Sequence, residues 1–163
     1  MLSIYLVCVG RLKERFYQDA CAEYLKRLSP YCKLTLLELP EERLPQSPSQ
    51  GQIDAALEKE GQAIRSKLPP NTSLVCLCVE GRLRSSEELA SLVQTWEHNS
   101  AKHLAFVIGG SFGLAESLKV EADYVVDTSE LSTSALREKL TDLFSGPDVA
   151  GMRIEFVAFG YKY

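Results

Sequence analysis

At 163 residues and 45% hydrophobic side chains, the chain is sized for a single domain with a real core. No apolar run approaches the length of a membrane span, and a formal charge of −4 argues against a protein that grips nucleic acid by bulk positive charge. Residues 1–119 are charge-balanced, so the whole negative excess sits in residues 120–163.

The amino-terminal stretch Ser3–Val9 is apolar and β-branched, lacks a basic leader, and closes on Gly10, which predicts a first strand and not a signal peptide. Glu14–Leu28 places Phe16, Ala20, Cys21, Tyr24, Leu25 and Leu28 at helical spacing, and Pro30 stops it. Lys33–Leu39 alternates as a strand and runs into Pro40. The stretch from Glu41 to Gly51, with Pro45 and Pro48, reads as a loop. Ile53–Leu68 is a second helix, ended by Pro69-Pro70, and Ser73–Val79 a third strand. Ser85-Ser86-Glu87-Glu88 has the form of a helix cap, with the helix running to about Glu97. His103–Ile108 is a fourth strand. Beyond it, Asp123–Asp127 reads as a strand, then a helix from Ser132 or Ser134 to Phe144, and a strand Arg153–Phe159. Strand and helix alternate throughout, which argues one α/β domain with a mostly parallel sheet and helices on both faces.

The sharpest local feature is Leu104 through Leu114, where a buried-strand pattern ends on Gly109-Gly110 with Gly113 following. Strand ends of open α/β sheets are where ligands bind, and glycine lets backbone amides come close to them. The competing reading is a glycine turn leaving a core strand. Arg11 and Lys13 follow the first strand, and Arg82 and Arg84 the third, as candidate phosphate contacts or as solvated charges. The 5 cysteines are scattered without metal-ligand spacing, so reduced thiols in a cytoplasmic protein are expected; Cys76 and Cys78 would share one strand face. Ser111 invites comparison with a hydrolase, with His98 and His103 as the imidazoles at hand, but no orienting acid is evident. Asp127, at a strand end, is either an acid/base group or a turn cap.

Residues 1–118 resemble the RlmH family, SPOUT-superfamily methyltransferases of large-subunit ribosomal RNA. The resemblance rests on Val9-Gly10-Arg11-Leu12-Lys13, Ala22 through Arg27, Glu58-Lys59-Glu60-Gly61, Leu77 through Gly81, Ser85 through Ala90 and Phe106 through Leu114. It implies a SPOUT-like fold with a carboxy-terminal trefoil knot, S-adenosylmethionine as cofactor, and a cytoplasmic homodimer that methylates N3 of a pseudouridine in the 23S RNA of the ribosome. By that resemblance Leu77, Gly109, Gly110 and Gly113 bind the cofactor together with a later loop, matched here by Leu131 and Ser132. Arg11, Lys13, Arg82 and Arg84 would face RNA. Catalytic residues are not assigned.

The tail departs from this pattern. The family follows its glycine loop with a Leu-Ser-Leu-Ser loop, a Pro-His pair, a helix bearing Glu-Gln and Tyr-Arg, and a terminal Tyr-His. Here Leu131-Ser132-Thr133-Ser134 is similar to the first, and the others are missing. Residues 120–163 instead resemble an internal segment of RapZ-type P-loop proteins through Ala122–Ser129, Leu136-Arg137-Glu138 and Met152–Lys162, without the P-loop itself. The knot therefore depends on an atypical segment, and true knots are rare without a specific cause. Two functions follow: an RNA methyltransferase, or a catalytically impaired or non-catalytic fusion that keeps a methyltransferase-like half.

Overall fold

The computed structural model describes residues 3–98 and 103–127. Their elements run β1 (Ser3–Val9), α1 (Arg15–Leu28), β2 (Lys33–Leu39), α2 (Gln50–Lys67), β3 (Ser73–Arg82), α3 (Ser86–His98), β4 (His103–Ile108), α4 (Glu116–Glu121) and β5 (Tyr124–Val126). The later helix and strand expected up to Phe159, and the knot, lie outside the described residues. The five strands form one sheet in the order β2-β1-β4-β3-β5. Every pairing is parallel, as the strand–helix alternation predicts.

Alternation along each strand sorts its side chains between two cores, because successive residues of a strand point to opposite faces. Val7, Val9, Cys76, Cys78, Ala105 and Val107 pack on one face with Ile64 of α2 and Leu118 of α4. The two strand cysteines thus share a face, as their spacing requires. Val75, Leu104, Phe106 and Val126 pack on the other face around Trp96 of α3. There the Trp96 and Tyr124 rings meet edge to face at 5.2 Å. Side chains sealed as fully as Ile64, Leu104 and Leu118 each contribute about 1.5–3 kcal/mol of burial.

The start of α2 and the end of β3 differ most from the sequence expectation, and α4 is a helix that it lacks, each for a local reason. α2 starts at Gln50 and not Ile53, because the Gln52 side chain accepts the Ser49 backbone N–H at 2.9 Å and so caps the helix earlier. β3 runs on to Arg82 through an irregularity in its pairing with β5, in which Val126 pairs with both Leu77 and Arg82. The chain between Cys78 and Gly81 makes an excursion that returns Arg82 to the sheet edge. α4, six residues long, is too short to show a hydrophobic period. The α3 cap is as expected: Ser85 Oγ accepts the Glu88 N–H at 3.2 Å, and Glu88 accepts the Ser85 N–H at 2.9 Å. The apolar stripe of α1 is only half covered, with none of its residues buried.

Among the described residues, one ionisable side chain is held in the core. Glu60 of α2 is 7% exposed, and its Oε1 accepts the Glu42 backbone N–H at 2.7 Å. Desolvation lifts its carboxyl above the ordinary 4.5; the Glu42 N–H pulls it back in part, and the charges of Glu41 and Glu42 push it further up. Lys59 sits 3.7 Å from Glu42 on the same side. A raised carboxyl favours the fold most when protonated, so its contribution is greatest at acid pH and falls as pH rises from 4.5 through the folded value. Glu60→Gln keeps an acceptor for Glu42 and removes the charge. Its melting temperature should exceed wild type at pH 8 and converge on it at pH 4.5. A variant that melts below wild type at both pH values would contradict this.

Candidate active site

In a parallel sheet all strand carboxyl ends share one edge, and here the order of strands puts a topological switch point at that edge. From β1 the chain moves to β2 on one side, whereas from β4 it moves to β5 on the other. Loops leaving β1 and β4 therefore diverge, and such a switch point is where open α/β sheets bind ligands. The Gly109–Gly113 loop leaves β4 at this place, and Gly10 leaves β1 beside it, since Cys8 and Ile108 are register partners.

The loop is a tight turn: the Gly113 N–H donates to the Gly110 carbonyl at 3.1 Å, and the two glycines form an isolated bridge. Gly113 has φ +86°, a left-handed conformation that favours glycine. A side chain at Gly109 would collide with the Gly113 backbone, while the space off Gly113 is open. This adds a steric reason to the sequence argument. The loop folding onto itself is enough to require glycine at 109, whether or not a ligand approaches its Cα. Leu77 lies across from the loop, paired with Ile108 on one side and Val126 on the other. Of the six expected cofactor contacts, the fold thus gathers Leu77, Gly109, Gly110 and Gly113; Leu131 and Ser132 lie outside the described residues. Beside the loop, Ile108 (39%) and Phe112 (48%) expose apolar surface, and Val79 and Leu83 do so at the end of β3.

The four basic residues divide. Arg11 and Lys13 are exposed past β1, with Arg11 4.0 Å from Glu38. Arg82 is exposed, and its carbonyl accepts the Asp127 N–H at 3.1 Å. Arg84 is turned inward: its side chain is 20% exposed, stands over the Tyr124 ring at 5.8 Å, and lies 3.9 Å from Glu88. A guanidinium so engaged is a packing group first.

Among the described residues, the cysteines and the Ser111/His103 pair are not arranged as nucleophiles at this edge. All five cysteines are free, and burial pushes the Cys8 and Cys76 thiols up to about 11, so they stay protonated and unreactive. His103 opens β4 while Ser111 follows its far end, roughly 20 Å away along an extended strand, so they make no catalytic pair. Among the described residues, no group of three or more His, Cys, Asp or Glu side chains is placed to hold a metal ion. No described helix is long and apolar enough to cross a membrane.

A family model described as "Predicted SPOUT methyltransferase" matches residues 2–139. Three proteins named Ribosomal RNA large subunit methyltransferase H align along most of their length. That of Listeria welshimeri is 37% identical over 131 residues, 80% of this chain and 82% of the relative. That of Lactobacillus acidophilus gives the same figures, and that of Desulforamulus reducens is 38% identical over 132 residues, 81% of this chain and 82% of the relative. The chain belongs to the RlmH family of SPOUT methyltransferases. The SPOUT match continues past residue 118, where the resemblance noted in the sequence stops, and takes in Leu131 and Ser132. As a SPOUT methyltransferase the chain is an enzyme class whose chemistry suits the switch-point loop just described.

The packing roles of two residues of this SPOUT edge are not evident from the sequence. Glu41 reaches the glycine loop from the end of β2, which no local pattern announces. Gly81 sits where β3 returns to β5, and a Cβ there would lie against the Val126 and Asp127 backbone. Gly81→Ala should destabilise by about 1–3 kcal/mol through overpacking, because backbone cannot swing away as a side chain can. Chemical denaturation would measure it. A wild-type midpoint would mean that β5 shifts freely.

Proposed function

We propose that this protein transfers a methyl group from S-adenosylmethionine to N3 of a pseudouridine in the 23S RNA of the ribosome. The observation that carries the reading is the glycine loop at the β1/β4 switch point, with Leu77 beside it, in a chain of a methyltransferase family. The relatives' names, which specify large-subunit ribosomal RNA, support the substrate. Leu77 and Ile108 supply an apolar wall, and the turn Gly109–Gly113, with Leu131 and Ser132, would close around the adenosyl group.

The cofactor supplies a methyl group on a cationic sulfur. Held by Leu77 and the Gly109–Gly113 turn, it would give that methyl to the base nitrogen, which would lose its proton to solvent as the spent donor departs as S-adenosylhomocysteine. The chain's part is orientation: the pocket holds the methyl donor in line, and Arg11, Lys13 and Arg82 steer RNA phosphates. Arg84 acts through Tyr124 by shaping the edge. A cytoplasmic homodimer is part of the same reading.

Labelled methyl incorporation into ribosomes lacking the modification tests it, with enzyme in stoichiometric amount and long incubation. Label in the 23S RNA is the expected result. None, where an intact relative labels the same ribosomes, overturns the reading. The atypical sequence of residues 120–163 favours a second outcome, cofactor binding without turnover, which calorimetry with S-adenosylmethionine would reveal.

A further inference from the structure

The glycine loop is held from a distance by one carboxylate. Glu41 follows β2 after Pro40, and its Oε1 accepts the Ser111 backbone N–H at 2.7 Å across 70 residues of sequence. The same oxygen lies 2.8 Å from where a Cβ on Gly110 would stand, with Val9 Cγ1 3.2 Å away from that point. The carboxylate thus occupies the space that glycine leaves open. In the sheet order, β1 separates β2 from β4, so this contact reaches over the end of β1 to hold the loop on its far side.

The backbone carrying Glu41 is itself pinned on both flanks. Before it, the Leu39 carbonyl accepts the Gly10 N–H at 2.8 Å. After it, the Glu42 N–H donates to buried Glu60 at 2.7 Å. The two fastenings tie the β2 end to the β1 turn and to α2. A side chain launched from so fixed a base arrives at Ser111 with little freedom to lose. The Ser111 N–H is thereby spoken for, and the turn is set before any ligand arrives.

We infer that Glu41 is a positioning residue for the glycine loop, holding the Gly110–Ser111 peptide in the orientation that admits the adenosyl group of the methyl donor. This rests on the proposed cofactor reading; the hydrogen bond to Ser111 does not. Preorganisation of this kind raises affinity by removing the cost of ordering a loop on binding. A hydrogen bond from an amide to a carboxylate is among the stronger ones, so its loss should be visible in a single variant.

The test compares Glu41→Ala and Glu41→Gln with wild type by amide hydrogen exchange at Ser111 and by calorimetry with S-adenosylmethionine and S-adenosylhomocysteine. Glu41 is exposed, so both variants should melt within a few degrees of wild type. The expected result is exchange at Ser111 faster by about tenfold or more in Glu41→Ala, the effect of one charge-assisted bond, and both ligands bound about tenfold more weakly. Glu41→Gln, which keeps an acceptor oxygen, should recover most of both. Unchanged exchange in Glu41→Ala overturns the latch. Faster exchange with unchanged affinity overturns its role in binding. If wild type binds neither ligand, the cofactor reading fails, and with it the positioning role, while the exchange result still decides whether the latch exists.

Discussion

Gly109→Val should leave no detectable binding of S-adenosylmethionine at millimolar ligand. The branched side chain would be driven into the Gly113 carbonyl, with the Gly113 Cα only 3.0 Å from its Cβ. That neighbour is backbone, closed by its own hydrogen bond to Gly110, so it cannot step aside without opening the turn. Opening it would also loosen the segment leading to Leu114, Ala115 and Leu118, all buried in the core, Leu118 on α4 itself. A loss of about 1–3 kcal/mol in stability should therefore accompany the loss of binding. Calorimetry and denaturation on the same sample separate the two effects. Binding at wild-type affinity would show that the loop tolerates a second conformation and that the ligand does not depend on the first.

The second large effect concerns the rate of methyl transfer. It should be at least about a hundredfold below that of an intact RlmH relative, because misplacing a reacting group by about an ångström costs that much. The residues with which the family follows its glycine loop, the Pro-His pair and the Tyr-Arg and Tyr-His elements, do not occur in residues 120–163 of this chain. The same segment carries the full net charge of −4, which opposes RNA phosphates where a methyltransferase needs to hold them. Parallel assays on unmodified ribosomes give the ratio directly. Comparable rates would mean that Leu131, Ser132 and their neighbours position the base by other means.

Much of the architecture is local information. Ser3–Val9, Lys33–Leu39 and His103–Ile108 are legible as strands because their apolar runs are short, β-branched or alternating, and bounded by glycine or proline. Ser85 and Glu88 declare the start of α3 because a reciprocal cap spans only three residues. Cys76 and Cys78 face one way because a strand's period is two. The glycine loop stands out for the same kind of reason, since a strand that stops on two glycines breaks its own pattern.

What the tertiary structure decided is everything that depends on elements meeting across the sheet. Nothing in the sequence around His103–Ile108 says that β4 inserts between β1 and β3, yet that placement makes the switch point and so the candidate site. The need for glycine at 109 comes from the backbone four residues on, and appears only once the turn is closed. Arg84 and Arg82 look alike in sequence, but Tyr124 of β5 draws one of them inward. Glu41 reads as one more polar loop residue until the fold brings Ser111 within 2.7 Å of it. Periodicity and capping are short-range and leave a trace in neighbouring residues. A contact spanning 70 positions leaves none in a single chain, because its geometry is set by strand order and not by any residue near it.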